Sequence, residues 1–423
     1  MNDSRTAFLF LTLVAVVLSL LGTHPAYFPH LSSDVHVFFE RAQFFVEHLS
    51  LGELSQNEYQ PGAILYFIFL SPTLLIRNTF GWFNLTFVAA NIVLIFLLAR
   101  IYVAYQCEEN IYLYSLLLLF AGPIVLFRFE LLVAVLVCLA FLLWKNGLHL
   151  QSAFTLGVAT LVKVYPVIFL PYLLLLAWKN EGVRRSLAVL AAFAFGLGAL
   201  LAVYVLVFRA RYVDIVSSLQ FHAFKPIGLE SVWATLFMLK ALLRTGTLPE
   251  AQAGNGIWGI SDSAVLGPSY LYNYIWLLPC GALHLWFYQL IKRTTPLVFD
   301  IRLCLLNMLL FLVFQKVIAP QYILWFVFLI PLLNISGMTD RRGWAENVIL
   351  VELICFLYQF LYPLNYSLWI EGLQKHRHIT LLLTINSVRN ILLVVVCLRV
   401  FLDLKDTLRQ ARHGPDLELS SSG

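Results

Sequence analysis

Charge is scarce in this chain. Only 12% of its 423 residues are Asp, Glu, Lys or Arg, about half the share of an ordinary soluble protein. The six cysteines, Cys107, Cys138, Cys280, Cys304, Cys355 and Cys397, are scattered and form no CxxC or Cys/His cluster. That excludes a zinc-finger-like site and a disulfide framework. No basic patch is interleaved with aromatics, so nucleic acid is not an expected partner. Internal repeats are also missing, and with them the paired interrupted helices of inverted-repeat transporters. The first apolar run, Thr6 to Leu21, is preceded by Arg5 alone and followed by Gly22-Thr23-His24-Pro25. These make a poor cleavage site, and the run is expected to be retained as a first span.

What the chain has in quantity is apolar surface. Hydrophobic residues make up 61% of it and mean hydropathy is +0.83. Neither a soluble core nor a disordered chain accommodates that much, so lipid is the expected solvent. The expected fold is an all-α polytopic membrane protein with about 12 spans, near residues 7–23, 81–103, 110–127, 130–145, 150–163, 165–178, 185–208, 268–291, 298–314, 321–338, 346–365 and 380–402. A further apolar segment, 61–76, carries Pro61 and Pro72 and reads as re-entrant or interfacial. With it kept from crossing and the N-terminus inside, Lys145, Lys179, Arg184, Arg185, Lys292, Arg293, Arg341, Arg342, Lys405, Arg409 and Arg412 fall on the cytoplasmic side. The expectation is one domain over 1–404, with external loops at about 24–80 and 209–267 and a polar cytoplasmic tail over 405–423.

The polar residues that lipid does not explain gather at the external joints of this topology. In the first loop Ser33 or Asp34 reads as the N-cap of a surface helix, where a helix dipole would keep Asp34 ionised and ready to act as a base. Glu58 is a second carboxylate where the chain re-enters the membrane, and Arg128 and Glu130 flank Phe129 at a helix start, as a structural pair or as one wall of a polar cavity. Lys163 sits at the break of two short helices, Lys316 between two apolar runs, and His222 and Glu230 in the second loop. Carboxylates, lysines, an arginine and a histidine on one face suit the activation of a hydroxyl beside an anionic phosphate near lipid depth.

The same segments carry a family resemblance. The runs Ser33–Phe38, Glu58–Pro61, Arg128–Glu130, Leu161–Pro166, Phe221–Trp233 and Lys316–Trp325 resemble, in order, motifs of the polyprenyl-phosphate-mannose-dependent α-mannosyltransferases. Those are multi-span membrane glycosyltransferases of the GT-C fold. Family members often have Asp at the position of Glu130 and Pro at that of Gln60. The resemblance implies Asp34 as catalytic base and Lys163, His222, Lys316, Gln321 and Tyr322, with Arg128, as residues holding donor phosphate and sugar. Glu58, Glu130 and Glu230 stand as secondary acids.

The implied reaction moves a hexose, mannose foremost, from a polyprenyl-phosphate sugar to a hydroxyl of a glycolipid or glycan, with inversion. A lipid phosphate leaves without a general acid, so one base suffices. The implied location is a bacterial inner or plasma membrane, with the active site facing the periplasm or exterior. No metal cage is expected from the residues, though a divalent cation is compatible with them, and oligomeric state is not readable. The competing expectation is a multi-span transporter or lipid-linked sugar flippase.

Overall fold

A computed structural model describes residues 2–51, 59–105, 108–254, 256–260, 269–291, 299–333, 341–375 and 379–412. Helices dominate. Five are long and apolar enough to cross a membrane: Arg5–Thr23, Phe80–Ala104, Val183–Val207, Arg342–Leu364 and Thr380–Thr407. Each leaves large apolar side chains uncovered, among them Leu13, Val93, Phe195, Phe356 and Ile391. Water would penalise such surfaces on every long helix, whereas lipid does not. By composition and helix length this is an all-α membrane protein.

The shorter apolar segments break where the sequence forces a break. Helix Ile111–Ala121 stops at Gly122, whose φ of +78° disfavours a side chain, and Pro123–Phe127 continues as a 3₁₀ turn. Segment 61–76 forms helices Pro61–Leu70 and Thr73–Ile76, separated at Ser71-Pro72. At about 1.5 Å per residue, ten residues cover about half of the hydrocarbon core. The last helix runs on from Thr380 to Arg412, so the polar tail expected from 405 begins as helix.

Two close approaches set the frame around the joints. Helices His149–Val162 and Val183–Ala202 cross through Gly157 and Gly196, where an added Cβ would come within 2.2 Å of the Phe193 and Phe154 carbonyl oxygens. Small residues are what allow two apolar helices to approach this closely in lipid. Gly62 likewise lies against the Val162 backbone, with 2.7 Å between an added Cβ and its nitrogen. Helix Pro61–Leu70 thereby docks on the end of the helix that delivers Lys163.

The first long loop holds helix Phe28–His48, whose buried stripe of Leu31, Val35, Phe38 and Ala42 repeats at helical spacing. Phe38 stacks on Phe67 at 4.2 Å between ring centres and meets Tyr59, Phe87 and Phe129 edge-on or tilted. The expected cap at Ser33 or Asp34 is not found. Helix begins at Phe28, because Pro29 suits the first turn, and Asp34 falls within the second. The second long loop departs from the all-helical expectation. After helices Tyr212–Ala223 and Val232–Thr245 it forms an antiparallel hairpin of Ala251–Gly254 and Ile257–Ile260. Gly228 bridges to Gly259, and a Cβ at Gly259 would lie 2.6 Å from that of Pro226. The hairpin therefore lies flat on the Lys225–Glu230 segment.

This loop nucleates a second apolar cluster, with Ile227, Leu229, Phe237, Met238 and Ile260 packed on Trp369, Leu373 and Leu383. The main core occupies the rest of the bundle.

Candidate active-site cavity

A cavity of about 560 Å³ opens where residues of both clusters meet. Asp34, Arg128, Glu130, Lys163, His222, Glu230, Gln321 and Tyr322 all line it, although they span almost 290 positions of the chain. Glu58 lies outside the described residues. Lys316 does not line the cavity. Its side chain is buried and its ammonium donates to the Ala223 carbonyl at 2.9 Å, while its own carbonyl accepts from Gly228. The segment that follows it, Val317 to Tyr322, forms one wall.

Two ion pairs organise the cavity, and neither is the one their sequence spacing suggests. Arg128 and Glu130 do not pair with each other. Arg128 Nε lies 3.1 Å from Asp34 Oδ2, with Arg128 buried and Asp34 36% exposed. The remaining guanidinium contacts are structural. Nη1 donates to the carbonyls of Leu31 and Phe127, both at 3.0 Å, and Nη2 to the Tyr362 hydroxyl at 3.0 Å. That hydroxyl donates in turn to the His30 carbonyl at 2.9 Å. Arg128 thus clamps the first turn of the Asp34 helix to the chain's C-terminal part and turns the carboxylate toward the void.

The second pair joins Glu130 and Lys163. Lys163 terminates helix His149–Val162 in extended conformation, which swings its side chain back across the helix start at Glu130. Its ammonium lies 4.7, 5.1 and 5.2 Å from the ring centres of Phe129, Tyr322 and Trp325. An ammonium over ring faces is held by their quadrupoles.

Sequence reasoning missed several lining residues: His30, Lys225, Tyr362, Tyr366 and, from the hairpin, Ala253, Gly254, Gly256, Ile257 and Trp258. Lys225 is the notable one, a buried lysine whose ammonium lies 5.0 Å from the Phe221 ring centre. It takes the place in the cavity expected for Lys316. The signal was present in its position within Phe221–Pro226, next to His222. His30 sits one helical turn before Asp34, which a correct helix start would have placed on the same face.

Glu230 closes the far side. It is buried on the loop before helix Val232–Thr245, and burial pushes its carboxyl up to about 7 despite the opposing pull of Arg389. Arg389, fully buried on the last long helix, donates to the Glu230 carbonyl and to Asn390 Oδ1 and stacks 3.9 Å from the Tyr358 ring centre. Among the described residues no group of three or more His, Cys, Asp or Glu could hold a metal ion.

The arrangement offers a carboxylate at the rim, cationic side chains from three separate segments, and amide and phenol groups along one wall. It can accept a proton from a hydroxyl and bind an anion within the same volume. The chain matches no protein-family model, no curated protein and no solved structure.

Proposed function

We propose that this chain is an integral-membrane glycosyltransferase that moves a hexose, mannose first, from a polyprenyl-phosphate sugar to an acceptor hydroxyl outside the cytoplasm. The reading rests on one observation: Asp34, Arg128, Lys163, His222 and Lys225 share one cavity within a bundle whose long helices are built for lipid.

In this mechanism Asp34 accepts the proton of the acceptor hydroxyl. The hydroxyl oxygen then attacks the anomeric carbon from the face opposite the phosphate. The carbon–oxygen bond to phosphate breaks, its electron pair stays with the lipid phosphate, and the configuration inverts. Charge building on the phosphate is met by Lys225, His222 and the Gln321 amide, with Arg128 behind Asp34. Lys163 serves the sugar side, because Glu130 already takes its charge, and Lys316 supports the Ala223 turn. The two long loops and the joints at Arg128 and Lys163 then lie on the external face.

The test is transfer by the purified protein in lipid, given radiolabelled polyprenyl-phosphate mannose and an extract of the source cell's lipids and glycans. Wild type and D34N are run together after both are shown to fold. Transfer by wild type alone is expected. Equal transfer by both would remove Asp34 as base, and no transfer from any lipid-phosphate sugar would remove the glycosyltransferase reading in favour of transport.

A further inference from the structure

The Glu130–Lys163 pair is the part of the cavity that base and phosphate chemistry leave unused. Glu130 is 1% exposed and Lys163 12%. Glu130 Oε1 is bound to Lys163, whereas Oε2 is buried and accepts no hydrogen bond among the described residues. A buried acceptor without a donor is costly, more so on a carboxylate, and calls for a partner that arrives from elsewhere.

The surroundings define that partner. Lys163 cannot serve both oxygens, being fixed between Oε1 and the faces of Phe129, Tyr322 and Trp325. The charges of the pair already cancel, so a metal ion or second ammonium would meet Lys163 as a like charge. The missing donor is therefore neutral. The neighbouring wall is Tyr322, backed by Trp325 at 3.9 Å, which stacks in turn on Tyr165 at 4.3 Å. A neutral ligand that brings O–H donors and an apolar C–H face together is a sugar ring.

We propose that Glu130, held by Lys163, is a specificity-determining residue that accepts a hydrogen bond from one ring hydroxyl of the bound sugar. This rests on the glycosyltransferase reading of the cavity. The terminal torsion of a glutamate is soft, and an ammonium has three donors with which to follow it. Oε2 therefore turns toward the hydroxyl while the ion pair persists. Lys163 acts as a positioning residue: without it the carboxylate would be a lone buried charge.

Donor and acceptor sugars share this chemistry, and the test separates them. Equilibrium binding to the full-length protein in lipid is measured for polyprenyl-phosphate mannose and for analogues each lacking one ring hydroxyl. A second arm uses methyl α-mannoside and its deoxy forms as tail-free probes of the acceptor subsite. Wild type is compared with Glu130→Met and with the Glu130→Met/Lys163→Met double variant, which removes both charges and covers the case where the single variant fails to fold. One deoxy donor is expected to bind wild type about 10- to 100-fold more weakly than the parent, the worth of a hydrogen bond to a charged group. Both variants should bind that analogue and the parent equally. The same pattern confined to the mannoside arm would assign the hydroxyl to the acceptor. Unchanged hydroxyl preference in the variants, or a uniform loss across all analogues, overturns the inference while leaving the glycosyltransferase reading intact. Absence of binding of every lipid-phosphate sugar to wild type removes that reading, and the inference with it.

Discussion

Two ionic networks in this bundle use the same residue types and end in different states. Around Arg302 all three guanidinium nitrogens are engaged. Nε bridges both Asp300 oxygens at 3.1 and 3.0 Å, and Nη2 reaches Asp300 Oδ2 at 2.7 Å. Nη1 donates to Asp403 Oδ2 at 3.1 Å and to Thr407 Oγ1 at 3.0 Å. The backbone N–H of Asp300 is taken by the Tyr172 hydroxyl. Such a network spends its guanidinium on the protein's own carboxylates, and it ties helix Ile301–Phe314 to the last helix. The cavity network is unsaturated: Asp34 is one-third exposed and Glu130 keeps a free oxygen beside a void. Charge near a membrane does not mark a site. Charge with unspent valence facing a cavity does.

The largest effect that sharpens this contrast is on rate. D34N is expected to lower sugar transfer by about 10²- to 10⁴-fold, the range of a lost general base, and to lower the melting temperature as well, since buried Arg128 loses its counter-charge. Asp403→Asn should keep the rate and lower the melting temperature alone. A D34N protein that transfers at the wild-type rate would erase the distinction between the two networks.

Next in size is the consequence of leaving Glu130 alone. Lys163→Met strips the partner from a nearly inaccessible carboxylate, and removing one member of a buried pair costs about 3–5 kcal/mol. Denaturant titration should show that loss, and the Glu130→Met/Lys163→Met double variant should recover most of it. Arg302→Met is expected to cost less, about 1–3 kcal/mol, because Asp300 and Asp403 are partly exposed and water takes over part of their solvation. Its KM for donor should not move.

The contrast was half legible before the fold was known. Hydropathy placed the five long helices, because lipid imposes long apolar runs that leave little to tertiary context. It also put Asp34, Arg128, Lys163 and His222 in the joints between runs. Their pairing was not legible. Arg128 and Glu130, two residues apart, point to different partners, since positions so spaced on a helix start do not face each other. Pro29 outranks Ser33 and Asp34 as the helix start, a signal present in the sequence. That Lys225 lines the cavity and Lys316 does not was hinted at only by His222 beside Lys225, because both lysines sit in short irregular segments where no period fixes direction. Tyr362 comes from a segment that hydropathy assigns to a span, and only the packing of that segment on Arg128 brings its hydroxyl to the cavity.

The smallest effect concerns Glu230, a carboxylate of the cavity whose proton balance burial shifts. Its pKa rises from the ordinary 4.5 to about 7, with Arg389 offsetting part of the rise. Below about pH 4.5 the carboxyl is protonated in both folded and unfolded chains, and the stability tied to its neutral form is fully present. As pH climbs, the unfolded chain releases the proton first while the folded chain still holds it, so stability falls through that window and levels off above about pH 7. Glu230→Gln carries no proton to lose. The variant should therefore match wild type near pH 4.5 and exceed it in melting temperature near pH 8, with the gap opening between those limits. Were the gap to open in the opposite direction, Glu230 would be held as a carboxylate by Arg389. The far side of the cavity would then belong with the ion-paired network around Arg302 and not with the open one around Asp34.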